Sequence, residues 1–191
     1  PLTQIADRLL AADYPLLITS FAGRNIKTPA LLDELGQLVG MGVIESYPQV
    51  LNVSKTSPVF LGNLSEPHLP KVDFGLMVDT DLPWMPKEAS PNPNTFWAHI
   101  DIDPIKNDIP MWGFPGHLKV QADSYLALAR LIEIVRGKLT DAHRARAAIE
   151  GVGTQVSAGG ELIVGAQSAG ETDVVGIAAA VQVSGTGAWA V

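Results

Sequence analysis

Two periods of apolar residues run along this chain, and their alternation predicts strands separated by helices. Thr3 to Asp13 places Ile5, Leu9 and Leu10 on one face with Asp7 and Arg8 off it, the pattern of a short amphipathic helix. Tyr14-Pro15 breaks it. Leu16-Leu17-Ile18-Thr19 follows as a short apolar run, the mark of a strand buried on both faces. From Leu31 the apolar residues Leu32, Leu35, Leu38 and Val39 recur at helical spacing. Thr28 is the candidate N-cap of this helix, Pro29 suits its first position, and Gly40 supplies a left-handed stop. Val43 to Ser46 is the next strand.

The stretch from Pro48 to Pro115 holds eleven of the fourteen prolines. It still contains two good strands, Phe74 to Val78 and Trp97 to Ile102, and a shorter one near 59–61. Proline cannot donate to a central ladder, so these prolines mark long loops between strands. Leu118-Lys119-Val120 is the last strand. Asp123 can cap a helix from Ser124 to Arg136, and Gly137 is its expected stop. Leu126, Ala129, Leu131, Ile132, Ile134 and Val135 spread over a wide arc of it, which predicts a largely buried helix. The alternation implies an α/β fold, a doubly wound, mostly parallel, six-stranded Rossmann-like sheet over residues 1–138. Residues 139–150 are expected to form a linker helix.

Residues 151–191 differ. They contain no Lys or Arg, three acids (Glu161, Glu171 and Asp173), and much Gly, Ala and Val. Glu161 to Val164 and Val174 to Val183 have strand-like runs, but this atypical tail lacks large core residues and has a low-complexity composition.

Composition then narrows the function classes. Hydrophobic residues make up 47% and charged residues 17%, which fits a globular chain. A net charge of −7 without a basic stripe argues against nucleic acid and anionic membranes as partners. The absence of cysteine excludes disulfides, thiolate catalysis and cysteine-ligated zinc. No apolar run reaches the roughly 18–20 residues that span a bilayer. The expected compartment is the cytoplasm, with the mitochondrion also compatible. The chain opens on Pro1 rather than Met, so it is expected to be a portion of a longer protein.

Two acid pairs stand at strand ends, Asp79-Thr80-Asp81 and Asp101-Ile102-Asp103. Such pairs offer hard oxygen ligands to a divalent metal. Two-residue spacing of acids also arises often by accident, and aspartates there commonly cap helices, form turns or bind a ribose hydroxyl. No metal ligand and no catalytic residue is assigned. His99 lies in an apolar strand and reads as a satisfied buried histidine. His68, His117 and His143 share no ligand spacing. Ser20-Phe21-Ala22-Gly23-Arg24 occupies the position of a phosphate-binding turn but has one glycine, a poor cradle. Trp84, Trp97 and Trp112, in or beside the long loops, read as packing or interface residues.

The order of these pieces resembles the central domain of the acetolactate synthase, pyruvate oxidase and benzoylformate decarboxylase group of thiamine-diphosphate-dependent enzymes. The resemblance rests on several segments over roughly residues 1–150. They are Tyr14-Pro15-Leu16-Leu17-Ile18, Thr28 to Leu35, Phe60-Leu61-Gly62-Asn63, Val72 to Val78, and Val120-Gln121-Ala122-Asp123. The most specific is His99-Ile100-Asp101-Ile102-Asp103-Pro104, and Asp79 to Pro86 looks like a less characterised branch of the group.

This resemblance implies a non-catalytic scaffold domain. In the group, a first domain supplies the glutamate that activates thiamine diphosphate, and a third holds diphosphate and Mg2+ through Gly-Asp-Gly and a downstream Asn pair. Neither motif occurs here. The expected partners are those N- and C-terminal domains, in a full-length homodimer or homotetramer of about 550 residues. That enzyme would cleave or join carbon–carbon bonds of 2-oxo acids. Some central domains bind FAD or ADP, and the resemblance makes Asp101, Asp103, Ser20, Asp79 and Asp81 a vestigial nucleotide crevice. The Gly and Arg that approach a flavin diphosphate fall at Asp79 and Asp81. Each carboxylate set against a diphosphate costs on the order of 1–4 kcal/mol, so FAD is not expected. The alternatives are a stand-alone metal-dependent transferase or hydrolase using the Asp-x-Asp pairs, and a non-enzymatic interaction module.

Overall fold

The apolar runs become six strands: β1 (Pro15–Thr19), β2 (Gly42–Glu45), β3 (Phe60–Gly62), β4 (Phe74–Val78), β5 (Phe96–Asp101) and β6 (Leu118–Gln121). The computed structural model describes residues 1–109 and 112–143, with the backbone of 154–155 and 165–166. All six strands join one parallel sheet in the order β3-β2-β1-β4-β5-β6. The chain is thus an α/β protein with the expected Rossmann-like sheet. The order reverses between β1 and β4, and the carboxyl ends of those two strands flank the switch point where such sheets place ligands.

Successive side chains in a strand point to opposite faces, so each buried strand feeds two cores. On one face Leu17, Val43, Leu76, Val78, Ala98 and Ile100 pack under the helices α1 (Leu2–Ala11), α2 (Thr28–Val39) and α3 (Ser124–Lys138). Burying each of the larger aliphatic side chains contributes about 1.5–3 kcal/mol. On the other face Leu16, Ile18, Ile44, Met77 and Trp97 meet Leu69, Val72 and Trp84, which come from the proline-rich connections. Trp97 fits because Gly75 on the neighbouring strand is bare. A β-carbon there would lie 2.1 Å from the indole ring.

The helix ends follow local chemistry, with three departures from expectation. Gly40 does adopt the left-handed stop, at φ 68, and Asp123 does cap α3, its Oδ1 accepting the Leu126 N–H at 3.0 Å. Thr28 is not a cap. It lies inside the first turn of α2 with its hydroxyl buried and unpaired, and Pro29 sits one residue further in than expected. The preceding turn is built by Asn25, whose side chain accepts the Lys27 N–H and whose carbonyl accepts the Thr28 N–H. Gly137 does not end α3, which runs on to Lys138, and the Lys138 ammonium pairs with Asp7 of α1. Leu126 is exposed, because α3 buries only the stripe of Ala127, Leu128, Leu131, Ile132 and Val135.

Asp73 joins α1 to β1 by accepting the N–H groups of Asp13 and Tyr14 at 2.6 and 2.9 Å. The linker helix expected over 139–150 and the tail over 151–191 lie mostly outside the described residues. Within them, Thr154–Gln155 pairs antiparallel with Gly165–Ala166.

Candidate functional site

The switch point is stitched shut by the chain itself. Where β1 ends, the N–H groups of Ser20 and Phe21 both donate to the carbonyl of Asp79, at 3.2 and 3.1 Å. The Ser20 hydroxyl donates to the Ser46 carbonyl at 2.6 Å and lies 2.8 Å from the Thr80 hydroxyl. The exits of β1, β2 and β4 are tied together by these bonds. The loop after β2 then folds over the turn after β1. Asn52 accepts the Gly23 N–H at 2.9 Å and donates to the Ser20 carbonyl at 3.0 Å. A β-carbon on Gly23 would come within 1.8 Å of the Leu51 carbonyl oxygen. In Rossmann units a bare glycine here admits a pyrophosphate; this one admits the protein's own backbone.

Beside this seam lies an ionic cluster. Lys106 Nζ sits 2.8 Å from Asp81 Oδ1 and 2.8 Å from Asp101 Oδ2. Asp101 Oδ1 accepts the Asp103 N–H at 2.9 Å, and Asp103 in turn accepts the Lys106 N–H at 3.2 Å. Arg24 pairs with Asp79 at 2.9 Å. Both Asp79 and Lys106 adopt left-handed backbone, at φ 45 and 58. Burial alone would raise the pKa of Asp101, but contacts from His99, Lys106 and the Asp103 N–H outweigh it and hold the group well below the usual carboxylate range. Burial would lower Lys106, and the carboxylates of Asp101 and Asp81 reverse this, raising it above 10.5. Asp79 moves the other way from Asp101. Its burial and the nearby Asp101 charge raise it more than Ser124, Arg24 and Lys106 lower it.

The five crevice residues therefore fall into two groups. Ser20 and Asp79 are buried parts of the seam. Asp81, Asp101 and Asp103 are brought together at the carboxyl ends of β4 and β5, with Asp81 half exposed and Asp101 buried. His99 departs from expectation. It is fully buried under the ring of Trp112, centroids 5.5 Å apart, yet neither ring nitrogen has a hydrogen bond of good geometry. Its Nε2 lies 3.5 Å from Asp101 Oδ2. Lys106 is the functional residue that reading the sequence missed. Charge arithmetic was the available signal: four acids at one edge need more than the single cation Arg24. Among the described residues, no group of three or more His, Asp or Glu is arranged to hold a metal ion.

No family model and no curated protein sequence matches the chain. Solved structures do match. An enzyme of Mycobacterium smegmatis described as thiamin diphosphate-dependent superposes with a TM-score of 0.58 at 23% identity, over 70% of this chain and 27% of that one. Benzoylformate decarboxylase of Polynucleobacter necessarius matches with a TM-score of 0.54 at 17% identity, over 70% and 26%. The thiamine diphosphate-dependent 4-hydroxybenzoylformate decarboxylase of Rhodococcus jostii RHA1 matches with 0.55 at 18%, over 70% and 27%. At these identities the likeness is one of fold, and it spans about a quarter of each of those chains. The chain has the fold of a domain found in thiamine-diphosphate-dependent enzymes.

Proposed function

We propose that the chain is the central scaffold domain of a thiamine-diphosphate-dependent enzyme of the acetolactate synthase type, acting on 2-oxo acids, and that it contributes no catalytic residue. The fold likeness to enzymes titled as thiamine-dependent supports the parentage. The observation that carries the scaffold role is the packing of Leu51 against Gly23, with the Ser20–Asp79 bonds beside it. That packing fills the place where an α/β sheet of this order would seat a diphosphate. The donors present do not suit one either. Asp79 and Asp81 present carboxylates where a diphosphate needs cations or N–H groups, and the nearby Arg24 and Lys106 are already paired. Thiamine diphosphate and Mg2+ would belong to the flanking domains of the full-length enzyme, which are this chain's partners, in a homodimer or homotetramer. The crevice of Ser20, Asp79, Asp81, Asp101 and Asp103 is then a nucleotide site converted to structure.

Calorimetry tests both halves. The chain alone is expected to give no saturable heat with thiamine diphosphate and Mg2+, with FAD or with ADP. The full-length source protein is expected to release CO2 from a 2-oxo acid only when thiamine diphosphate is supplied. Micromolar binding of FAD or ADP by the chain overturns the scaffold role, and a thiamine-independent source protein overturns the parentage.

A further inference from the structure

Among the described residues nine large apolar side chains are exposed, and all nine lie at one end of the domain, where the strands finish. Ile26 leads from β1 into α2, Tyr47, Val50 and Leu51 follow β2, and Leu64 follows β3. These belong to the half of the sheet on one side of the switch point. Ile102, Ile105 and Ile109 follow β5, and Leu126 lies in the first turn of α3 after β6, so these belong to the other half. Single exposed leucines need no account, but apolar side chains gathered on one surface mark a contact site.

Charge says what covers this end. Near the strand exits of the β3-β2-β1 half the exposed charges are cations, Arg24 and Lys27 after β1 and Lys55 after β2. Arg24 and Lys55 stay 41% and 50% exposed despite their pairs with Asp79 and Glu45. On the β4-β5-β6 half they are carboxylates, Asp81 after β4, Asp108 after β5 and Asp123 after β6. Lys87 and Glu88, further along the connection after β4, offset each other. Lys106 does not neutralise this half at the surface, because its ammonium is buried between Asp81 and Asp101.

A surface divided in this way is complementary to itself. A two-fold axis normal to the sheet, through the gap between β1 and β4, sets the cationic half of one copy against the acidic half of its mate. The same rotation lays the apolar residues after β1, β2 and β3 over those after β5 and β6. An axis along the row of strands would instead bring like charges together, which opposes association. We propose that the carboxyl end of the sheet is an isologous interface with a second copy of this chain, the two sheets meeting end to end with their strand orders reversed. The inference stands on the placement of charge and apolar surface and does not depend on the thiamine parentage.

Sedimentation velocity of the 191-residue chain over about 1–100 μM is the test. A reversible dimer is expected, weakening as added salt screens the opposed halves. Ile26→Asp and Ile105→Asp, each at an exposed position outside the core, should each raise the dissociation constant at least about tenfold with the circular dichroism spectrum unchanged. Asp108→Lys should weaken the dimer as well, and adding Lys27→Asp to it should recover much of the loss by restoring opposite charge between the halves. The proposal is overturned if the chain is monomeric across that range, if the dimer survives both isoleucine variants, or if the double charge variant associates no better than Asp108→Lys. A monomeric chain whose carboxyl end is shielded from hydrogen exchange in the full-length source protein would assign the surface to a flanking domain. That outcome also overturns the second copy, while leaving the thiamine reading intact.

Discussion

The two faces of the sheet are closed by different means. On the helix face, α1, α2 and α3 bring an aliphatic layer of Ile5, Leu9, Leu32, Leu35, Leu128 and Leu131, and their backbone polar groups are satisfied within the helices. The opposite face is roofed by irregular connections, and there the rings do the packing. Trp84 contacts Trp97 at 4.8 Å between centroids, and Phe114 bridges Trp84 and Trp112 at 5.0 and 5.3 Å. Loops make no internal ladder, so their buried carbonyls need side-chain donors. The Thr95 hydroxyl supplies Val72, Ser46 supplies Leu82 and Ser65 supplies Pro83, while the Trp112 indole donates to the more exposed carbonyl of Asp81. A loop layer can thus seal a parallel sheet if it spends large rings and hydroxyls where helices would spend leucines.

Trp97→Ala is the most severe way to break this comparison. It removes the largest buried ring of the loop face and is expected to cost about 3–5 kcal/mol in urea unfolding. A cost near 1 kcal/mol would mean that the loop layer is a loose cover rather than a core.

That contrast also marks what was legible in the sequence. Strands buried on both faces announce themselves as apolar runs, and each of the six fell within a residue or two of its expected place. Helix faces read well for the same periodic reason. The loop face did not, because nothing periodic links Trp84 to Phe114 or Gly75 to Trp97; those pairings depend on how aperiodic loops fold back. The clustering of Asp79, Asp81, Asp101 and Asp103 at one edge follows from parallel topology and was readable. Lys106 was not, since only its left-handed backbone, in the turn after Asp103-Pro104, aims it inward. Asp73 and Asn52 escaped notice likewise, as acceptors and donors for distant backbone groups.

Next in size is the ionic cluster at the edge of the loop face. Lys106→Met leaves Asp101 buried without its ammonium and is expected to cost about 3 kcal/mol, the low end for breaking a buried pair because Asp81 is half exposed. The pH dependence has a definite sign. Lys106 has a folded pKa above 10.5, so its contribution is full below that pH and fades as pH rises through the folded value. Asp101 has a folded pKa below 3.8, so its contribution is present above that pH and is lost as pH falls toward the folded value. Asp79, raised above 3.8, opposes it by gaining stability as pH falls toward 3.8. Urea unfolding at stepped pH should show Lys106→Met flattening the alkaline loss and Asp101→Asn flattening the acid loss. Unchanged limbs in both variants would show that the cluster does not couple to folding.

Thr95→Val sharpens the claim about backbone satisfaction. The swap nearly conserves shape and removes only the hydroxyl, which donates to the Val72 carbonyl at 2.6 Å; the Asn92 carbonyl keeps the Thr95 N–H at 3.0 Å. Leaving one buried acceptor unsatisfied is expected to cost about 1–3 kcal/mol. A neutral result would mean that the Val72 carbonyl reaches water, and that the loop face is wetter than its packing indicates.

The smallest effects lie on the helix face and separate a true cap from an apparent one. Asp123 and Thr28 look alike in sequence, each a polar residue at the start of an apolar helix. Asp123 accepts the Leu126 N–H at 3.0 Å from extended backbone, so it satisfies one of the orphan donors of α3. Its carboxylate also lies at the positive end of the helix dipole. Asp123→Ala is therefore expected to cost about 1 kcal/mol in urea unfolding. Thr28 already lies within the first turn of α2, and its buried hydroxyl has no partner. Replacing an unpaired buried hydroxyl by a methyl group of the same shape removes a desolvation cost and no bond. Thr28→Val is thus expected to fall within about 0.5 kcal/mol of the unaltered chain, on the stabilising side if at all. Equal losses at the two positions would show that Thr28 caps α2 in solution after all.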